Sequence, residues 1–451
     1  MGRRSHTRTL GLWMNGAFVG TWNLAPNAPD TLQYDLAWTQ SEQGRPLSLS
    51  LPFTPGNAPH RGEKVHAYFE NLLPDSKDIR ERLARRFGTG STDAFELLAQ
   101  IGRDCVGALE ILPDGDASAG MSPIQAEPLS EAEVAQVLRA ATTPHRMGFG
   151  HDDEAFRISI AGAQEKTALL LRDGDWCLPR GNTPTTHIFK LPLGLIGGMK
   201  LDMRDSVENE WLCSLILREF GLPAATCAPL QFEDIKVLVV ERFDRAWWIH
   251  PSGDSRLIRL PQEDMCQVLG IPPEAKYEAD GGPGMDRILE VLDGSMNREQ
   301  DRRDFFKAQL LFWMLCATDG HAKNFSLFLR TGGRYQLTPL YDVLSAYPVL
   351  GEGAARISPF KAKLAMAVRS RNAHWKMKAI LRRHWEALGA RHGILTDDGR
   401  QVQFLIDEII ISTPRVIATL RARLPEGFPM AIADGILDGL QDAADLLADQ
   451  H

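Results

Sequence analysis

The stretch Leu315–Phe325, L-C-A-T-D-G-H-A-K-N-F, constrains this chain more than any other. Asp319 and Asn324 stand five positions apart, in the pattern D-x-x-x-x-N. This is the spacing of a phosphoryl-transfer loop, in which the Asp accepts the proton of an attacking hydroxyl and the Asn holds a metal ion. A further carboxylate, Asp342 in L-Y-D-V, follows eighteen residues after Asn324. It arrives after a predicted strand pair, Ser326–Leu329 and Tyr335–Leu337, where a metal-binding Asp belongs in such an enzyme. The apolar run Leu310–Ala317 predicts a buried helix end that would hold the polar loop rigid. The plainer alternative is that Asp319-Gly320 is an ordinary turn and Asn324 a cap.

With 451 residues the chain is long enough for two or more domains with sizeable cores. Its 44% hydrophobic and 24% charged residues are ordinary for a soluble globular protein. No apolar run approaches the roughly 20 residues that span a bilayer. The basic start, M-G-R-R-S-H-T-R-T, is followed by an apolar stretch that breaks at Asn15-Gly16, so no signal peptide is expected. The six cysteines are scattered without a C-x-x-C pair, which predicts free, mostly buried thiols, a reducing cytoplasm and no zinc site. The net charge of −8 does not suggest a surface coated for nucleic acid. One segment departs from it: Arg369–Arg391 carries seven Lys or Arg and a single acid, Glu386.

Local patterns place the remaining elements. Residues 9–22 read as a hairpin turning at Asn15-Gly16. The alternation of L-S-L-S-L-P, 47–52, predicts a strand. Helices follow after Gly62 and at Ala94–Ile101, the latter capped by Asp93. Residues 105–112 return to strand, and 113–123 form a loop. Strands are expected at 156–160, 167–171, 186–192 and 235–240, with a helix at 206–219. Beyond Gln262 helical periodicity dominates, around 284–293, 301–317, 374–388, 400–411, 414–423 and 429–447. The fold class is therefore α/β (α+β) over residues 1–262 and mainly α-helical over 263–451. With the loop motifs it predicts a two-lobed, kinase-like architecture.

The other parts that phosphoryl transfer from ATP requires have candidates in the right order. Ala161–Lys166, A-G-A-Q-E-K, is a short loop between strands whose Gly162 lets backbone N–H groups approach phosphate oxygens; alone it could be a plain hairpin. Lys190 is the only basic residue of a mostly apolar strand and must snorkel or find a partner; phosphates supply one, and Glu210 on the next helix could be the other; alone it could be an edge lysine facing water. Glu241–Phe243 ends a buried strand and offers free backbone groups to adenine, or is a linker.

Longer stretches carry a resemblance. They include P-L-S-L-S-L-P (46–52), F-E-N-L-L-P-D-S (69–76), I-G-R-D-C-V-G-A (101–108), F-R-I-S-I-A-G-A-Q-E-K-T-A-L-L (156–170), P-T-T-H-I-F-K-L-P (184–192), V-E-R-F-D-R (240–245), R-L-P-Q-E-D-M-C-Q (259–267), Y-E-A-D-G-G-P-G (277–284) and A-T-D-G-H-A-K-N-F-S (317–326). In these the chain resembles the HipA family, serine/threonine kinase toxins of bacterial toxin–antitoxin modules. The resemblance implies that Asp319 is the catalytic base and that Asn324 and Asp342 hold Mg2+. It implies that ATP phosphates meet Lys190 and the loop Ala161, Gly162, Ala163, Gln164, Glu165 and Lys166. Glu241 and Phe243 would bind adenine through backbone, with Gln262, His321, Lys323 and Tyr341 lining the nucleotide site. Ser159 matches the family's autophosphorylation site. The implied protein substrate is an aminoacyl-tRNA synthetase, notably the glutamyl enzyme, whose modification arrests growth. The implied partners are a HipB-like helix-turn-helix antitoxin and, through it, operator DNA.

Departures accompany the match. Asp342-Val343-Leu344 stands where protein kinases have D-F-G, and the basic segment after Met366 follows the family poorly. A helix from about 373 to 385 is predicted there, with Lys378 and Arg382 on one face and Arg383 beside them as DNA contacts; the alternative is a solvated basic helix. A nucleotide-binding corepressor without catalysis and a small-molecule kinase are the other functional readings.

Overall fold

The computed structural model describes residues 7–118, 120, 122–142, 158–198, 200–249, 251, 253 and 255–450. The chain forms a mixed α/β protein with small, mostly antiparallel sheets and a mainly helical C-terminal part. It divides into two compact units, each assembled from three chain segments. The first comprises Met1–Leu191, Leu230–Glu274 and Ser326–Tyr335; the second comprises Pro192–Pro229, Ala275–Phe325 and Gln336–His451.

In the first unit, strands Arg8–Met14 and Ala17–Leu24 form the expected hairpin. Both turn residues have positive φ, 47° at Asn15 and 88° at Gly16, which a tight turn between twisted strands requires. Thr31–Tyr34, His60–Arg61 and Leu109–Pro113 complete this sheet. Its core centres on Trp22, stacked on Phe69 at 3.8 Å and met edge-on by Phe95. These rings bring helices Glu63–Glu70 and Ala94–Ile101 onto the sheet. Asp93 precedes the second helix as expected, but its side chain makes no capping bond.

The second sheet is six-stranded and runs Cys227–Phe232, a strand that straddles the unit boundary, then Ile235–Glu241, His187–Lys190, Lys166–Arg172, Asp175–Pro179, Ala126–Pro128. Helix Glu131–Ala141, opened by the Ser130–Glu133 capping box, buries Val134 and Leu138 against Leu169, Phe189 and Val239. The expected strand at 156–160 is Ile158–Ser159, which pairs in parallel with Asp104–Cys105; Phe156 and Arg157 lie outside the described residues.

The second unit contains helices Ser206–Glu219, Met285–Leu292, Arg298–Met314, Arg382–Arg391, Val402–Arg423 and Met430–Ala448. Strand Ser326–Leu329 of the first unit and strand Tyr335–Leu337, which straddles the boundary between the units, fall where expected. All six cysteines are free, and five are buried. Among the described residues no helix is long and apolar enough to cross a membrane.

Several expectations are corrected. Residues 47–52 form no strand. Instead Ser48 and Ser50 donate to the Gln267 carbonyl and the Leu49 N–H donates to Glu263 Oε1, so three successive residues dock on a distant segment rather than build a ladder. The stretch 105–112 is broken at Gly107, φ +76°. Pro414 does not divide its helix: Val402–Arg423 is continuous, with Leu405, Ile406, Ile409, Val416 and Leu420 buried on one face. The Pro costs one backbone hydrogen bond and a local clash, about 3 kcal/mol, which the burial of that face outweighs.

The basic segment differs most. Residues 373–385 are not one helix: Ala373–Lys376 pairs with Lys363–Arg369 as a hairpin, a single 3-10 turn follows, and the helix begins at Arg382. The hairpin wins because Leu364–Val368 forms a fully apolar buried strand that needs an edge partner. Lys378 and Arg382 therefore share no helical face. Arg382 is corrected as a DNA contact: its buried guanidinium pairs with Glu386 at 2.8 Å and Asp407 at 2.7 Å. Lys378 and Arg383 are exposed, and Lys378 lies over the exposed Phe360 ring.

Candidate active site

Helix Arg298–Met314 ends in the buried run that sequence anticipated, Leu310–Ala317. Cys316 then takes φ +51°, and the Ala317 N–H returns to the Phe312 carbonyl at 2.7 Å. The chain leaves the core there and Asp319 emerges with its side chain 58% exposed. Gly320 permits the next step, since a Cβ would come within 2.4 Å of the Phe312 ring. The His321 N–H donates to the Asp319 carbonyl at 2.8 Å, and Asn324 closes a 3-10 turn through His321.

One amide ties the loop together. Asn324 Nδ2 donates to the Asp319 carbonyl at 2.8 Å and reaches the Asp342 carbonyl at 3.5 Å. Its Oδ1 remains as an acceptor. Asp342 has φ +62°, unusual for a residue with a side chain and typical of backbone strain kept at functional positions. Tyr341 donates to the Lys323 carbonyl at 2.8 Å. Asp319, His321, Lys323, Asn324, Tyr341 and Asp342 thus form one cluster in the second unit, with His321, Lys323 and Asn324 buried. Sequence reasoning missed what holds the Asp342 segment: Asn209 exchanges two 2.8 Å hydrogen bonds with the backbone of Ser345, whose hydroxyl donates to the Leu315 carbonyl. It also missed Tyr277, whose hydroxyl donates to Asp319 Oδ1.

In the first unit, the plain-hairpin alternative for 161–166 fails, because the strand preceding the loop pairs with Asp104–Cys105. Gly162 has φ +111°, and its carbonyl accepts the Asp75 N–H at 3.0 Å. Lys166 Nζ donates to the Ala161 carbonyl at 2.6 Å, Gln164 donates to the Leu191 carbonyl, and Glu165 pairs with Arg82; Ala163 is exposed. Lys190 is buried in a central strand, not an edge, directly opposite Lys166 in register. Ser159 is fully buried, its hydroxyl donating to the Leu72 carbonyl at 2.6 Å.

Glu241 ends its strand opposite His187 with an exposed side chain, and Phe243 meets Phe328 edge-to-face. Gln262 reaches Asp244 Oδ2 at 3.4 Å. The backbone here is fixed by a buried ion cluster. Arg242, Arg245 and Arg259 face Asp104, Asp244 and Glu110, three positive groups against three negative. Burial alone would raise the Asp104 carboxyl, but Arg245, Arg242 and Arg259 outweigh it and hold the group well below the usual carboxylate range. The R-F-D-R of V-E-R-F-D-R is thus a structural clamp on the segment beside Glu241.

The geometry meets known proteins here. The family model of the HipA-like C-terminal domain matches residues 158–417, and that of the HipA N-terminal domain matches residues 10–112. The chain belongs to the HipA family. It is 32% identical to the putative kinase Y4mE of Sinorhizobium fredii, over 91% of this chain and 92% of that protein. It is 27% identical to the serine/threonine-protein kinase toxin HipA of Shewanella oneidensis, over 80% of this chain and 79% of that protein. The solved Shewanella oneidensis complex of HipA, HipB and operator DNA contains a chain matching 98% of this one, with a TM-score of 0.76 and 23% identity, which carries the fold. The present chain is therefore an enzyme, a kinase of the HipA type.

Proposed function

We propose that this kinase transfers the γ-phosphoryl group of ATP to a serine or threonine hydroxyl of a protein, and that its target is an aminoacyl-tRNA synthetase, the glutamyl enzyme first. The observation that carries the chemistry is the Asn324 amide, which holds the backbones of Asp319 and Asp342 around itself. Asp319 accepts the proton of the substrate hydroxyl. Asn324 Oδ1 and the Asp342 carboxylate are hard oxygen donors of the kind Mg2+ takes, one or two from protein and the rest from phosphate and water. Bound there, the ion would neutralise charge on the phosphates.

Lys190 and the loop Ala161–Lys166 hold the phosphates in this reading. Lys166 and Lys190 stand directly opposite each other in register, which brings two cations to one place beside the loop. Glu241 and Phe243 bind adenine through backbone, with Gln262, His321, Lys323 and Tyr341 lining the nucleotide site. Modification of the synthetase arrests growth. A HipB-like antitoxin restrains the toxin, and the pair sits on operator DNA with Lys378 and Arg383 toward the phosphates. Autophosphorylation at Ser159 switches the kinase off.

The test is incubation of the full chain with radiolabelled ATP, Mg2+ and cell lysate, with the labelled bands identified by mass spectrometry. A labelled synthetase is expected. Label confined to small molecules would reject a protein substrate.

A further inference from the structure

The segment Lys276–Gly284 has no part in the reading above, yet it is built to tight tolerances around one side chain. The Tyr277 carbonyl accepts the N–H groups of Asp280, at 3.0 Å, and Gly282, at 2.9 Å. Gly281 turns with φ +94°, and a Cβ on Gly282 would come within 2.0 Å of the Ala275 carbonyl oxygen. On one side of Tyr277, the Lys276 carbonyl accepts the N–H of Ala322, inside the catalytic loop. On the other, the buried carboxylate of Glu278 accepts the Ala367 N–H at 2.5 Å and pairs with Arg369. The tyrosine is thus anchored from both neighbours. Its hydroxyl donates to Asp319 Oδ1, and its ring meets His321 edge-on at 4.9 Å. His321 Nε2 lies 3.9 Å from the same Oδ1. Among the described residues no hydrogen bond reaches Oδ2.

We propose that Tyr277 is a positioning residue for phosphoryl transfer: its hydroxyl holds one oxygen of the Asp319 carboxylate so that the other faces the incoming substrate hydroxyl. A carboxylate 58% exposed at the tip of a loop would otherwise rotate freely. A base oriented by a third group is the recurring arrangement of activated nucleophiles. This inference rests on Asp319 being the base.

The test is a double-mutant cycle on the full chain. Tyr277→Phe keeps the ring and its packing and removes only the hydroxyl. Two quantities are measured: the dissociation constant of a fluorescent ATP analogue with Mg2+, and the single-turnover rate of label transfer from radiolabelled ATP into lysate protein. The Phe variant is expected to bind the analogue like wild type and to transfer about tenfold more slowly, the usual weight of a hydrogen bond to a charged group. In the Asp319→Asn background the same change is expected to have no further effect. Three results would overturn the proposal: a wild-type rate in the Phe variant, an equal loss in both backgrounds, or weakened analogue binding, which would mark a role in the fold alone. Wild-type transfer by Asp319→Asn by itself would instead remove the base assignment on which the proposal stands.

Discussion

Replacing Asp104 by Asn tests whether the buried ion cluster holds the first unit together. The Asp104 carboxylate accepts from Arg242 at 3.1 Å, Arg245 at 2.7 Å and Arg259 at 3.3 Å, and from the Thr185 N–H and hydroxyl at 3.1 and 2.7 Å. Asparagine keeps the shape but removes the charge and turns an N–H2 toward guanidinium groups. Three buried arginines would then face two carboxylates, and an uncompensated buried charge costs about 3–5 kcal/mol. Whole-protein stabilities are of order 5–15 kcal/mol, so the loss is a large share. Urea unfolding at pH 7, followed by far-ultraviolet circular dichroism, should show it as a lower midpoint. The pH dependence adds a second check. Because the folded Asp104 carboxyl is held below its unfolded value, about 3.9, its contribution is complete above that value and is lost as pH falls through the folded one. The gap between wild type and variant should therefore stay constant from pH 8 to 5 and close only in stronger acid. A gap below about 1 kcal/mol, the size of an exposed pair, would mean that the cluster does not hold the unit together. So would a gap that shrinks between pH 8 and 5.

Three further outcomes follow from the same contacts. Glu263 is fully buried, and burial pushes its carboxyl up to about 8 from an ordinary 4.5, so the folded state keeps a proton that the unfolded state releases. Stability should fall as pH rises from about 4.5 to about 8, and Glu263→Gln should remove that fall in urea titrations across the range. Phosphorylation of Ser159 would put about −1.5 to −2 charges in a fully buried site bonded to Leu72; it should expel the Ala161–Lys166 loop, and phosphorylated protein that binds ATP as tightly as unmodified protein contradicts this. Lys378→Ala with Arg383→Ala should leave phosphoryl transfer intact and flatten the salt dependence of operator binding by the complex with antitoxin, whereas Arg382→Ala should lower stability, since it strips Glu386 and Asp407 of their partner.

What sequence made legible is what local chemistry decides. Asn15-Gly16 dictates its hairpin, the helix at Ser206–Glu219 announces itself by period, and the turn after Leu329 separates a strand pair at the expected positions. The loop that carries Asp319 and Asn324 was legible because the two are neighbours in sequence as well as in space. The errors lie where distant residues decide. Residues 47–52 alternate like a strand, but the bond from Leu49 to Glu263 spans 214 positions. Residues 373–385 have helical composition, but their partner is a buried strand that the apolar run Leu364–Val368 could have signalled. Tyr277 reaches Asp319 across 42 positions, with no period or spacing to mark it. Arg382 shows the same limit: a charge in a basic run looks solvated until Asp407, twenty-five residues on, is seen to take it inward.

The central claim is that Asp319 is the base of a phosphoryl transfer whose ATP and Mg2+ are held by other residues. The direct measurement compares wild type and Asp319→Asn in two assays on the same preparations: calorimetric binding of ATP with Mg2+, and label transfer from radiolabelled ATP to lysate protein. Unchanged ATP affinity is expected, with a transfer rate reduced roughly 10²–10⁴-fold, the range for loss of a general base. Wild-type transfer by Asp319→Asn would contradict the role of Asp319 as base.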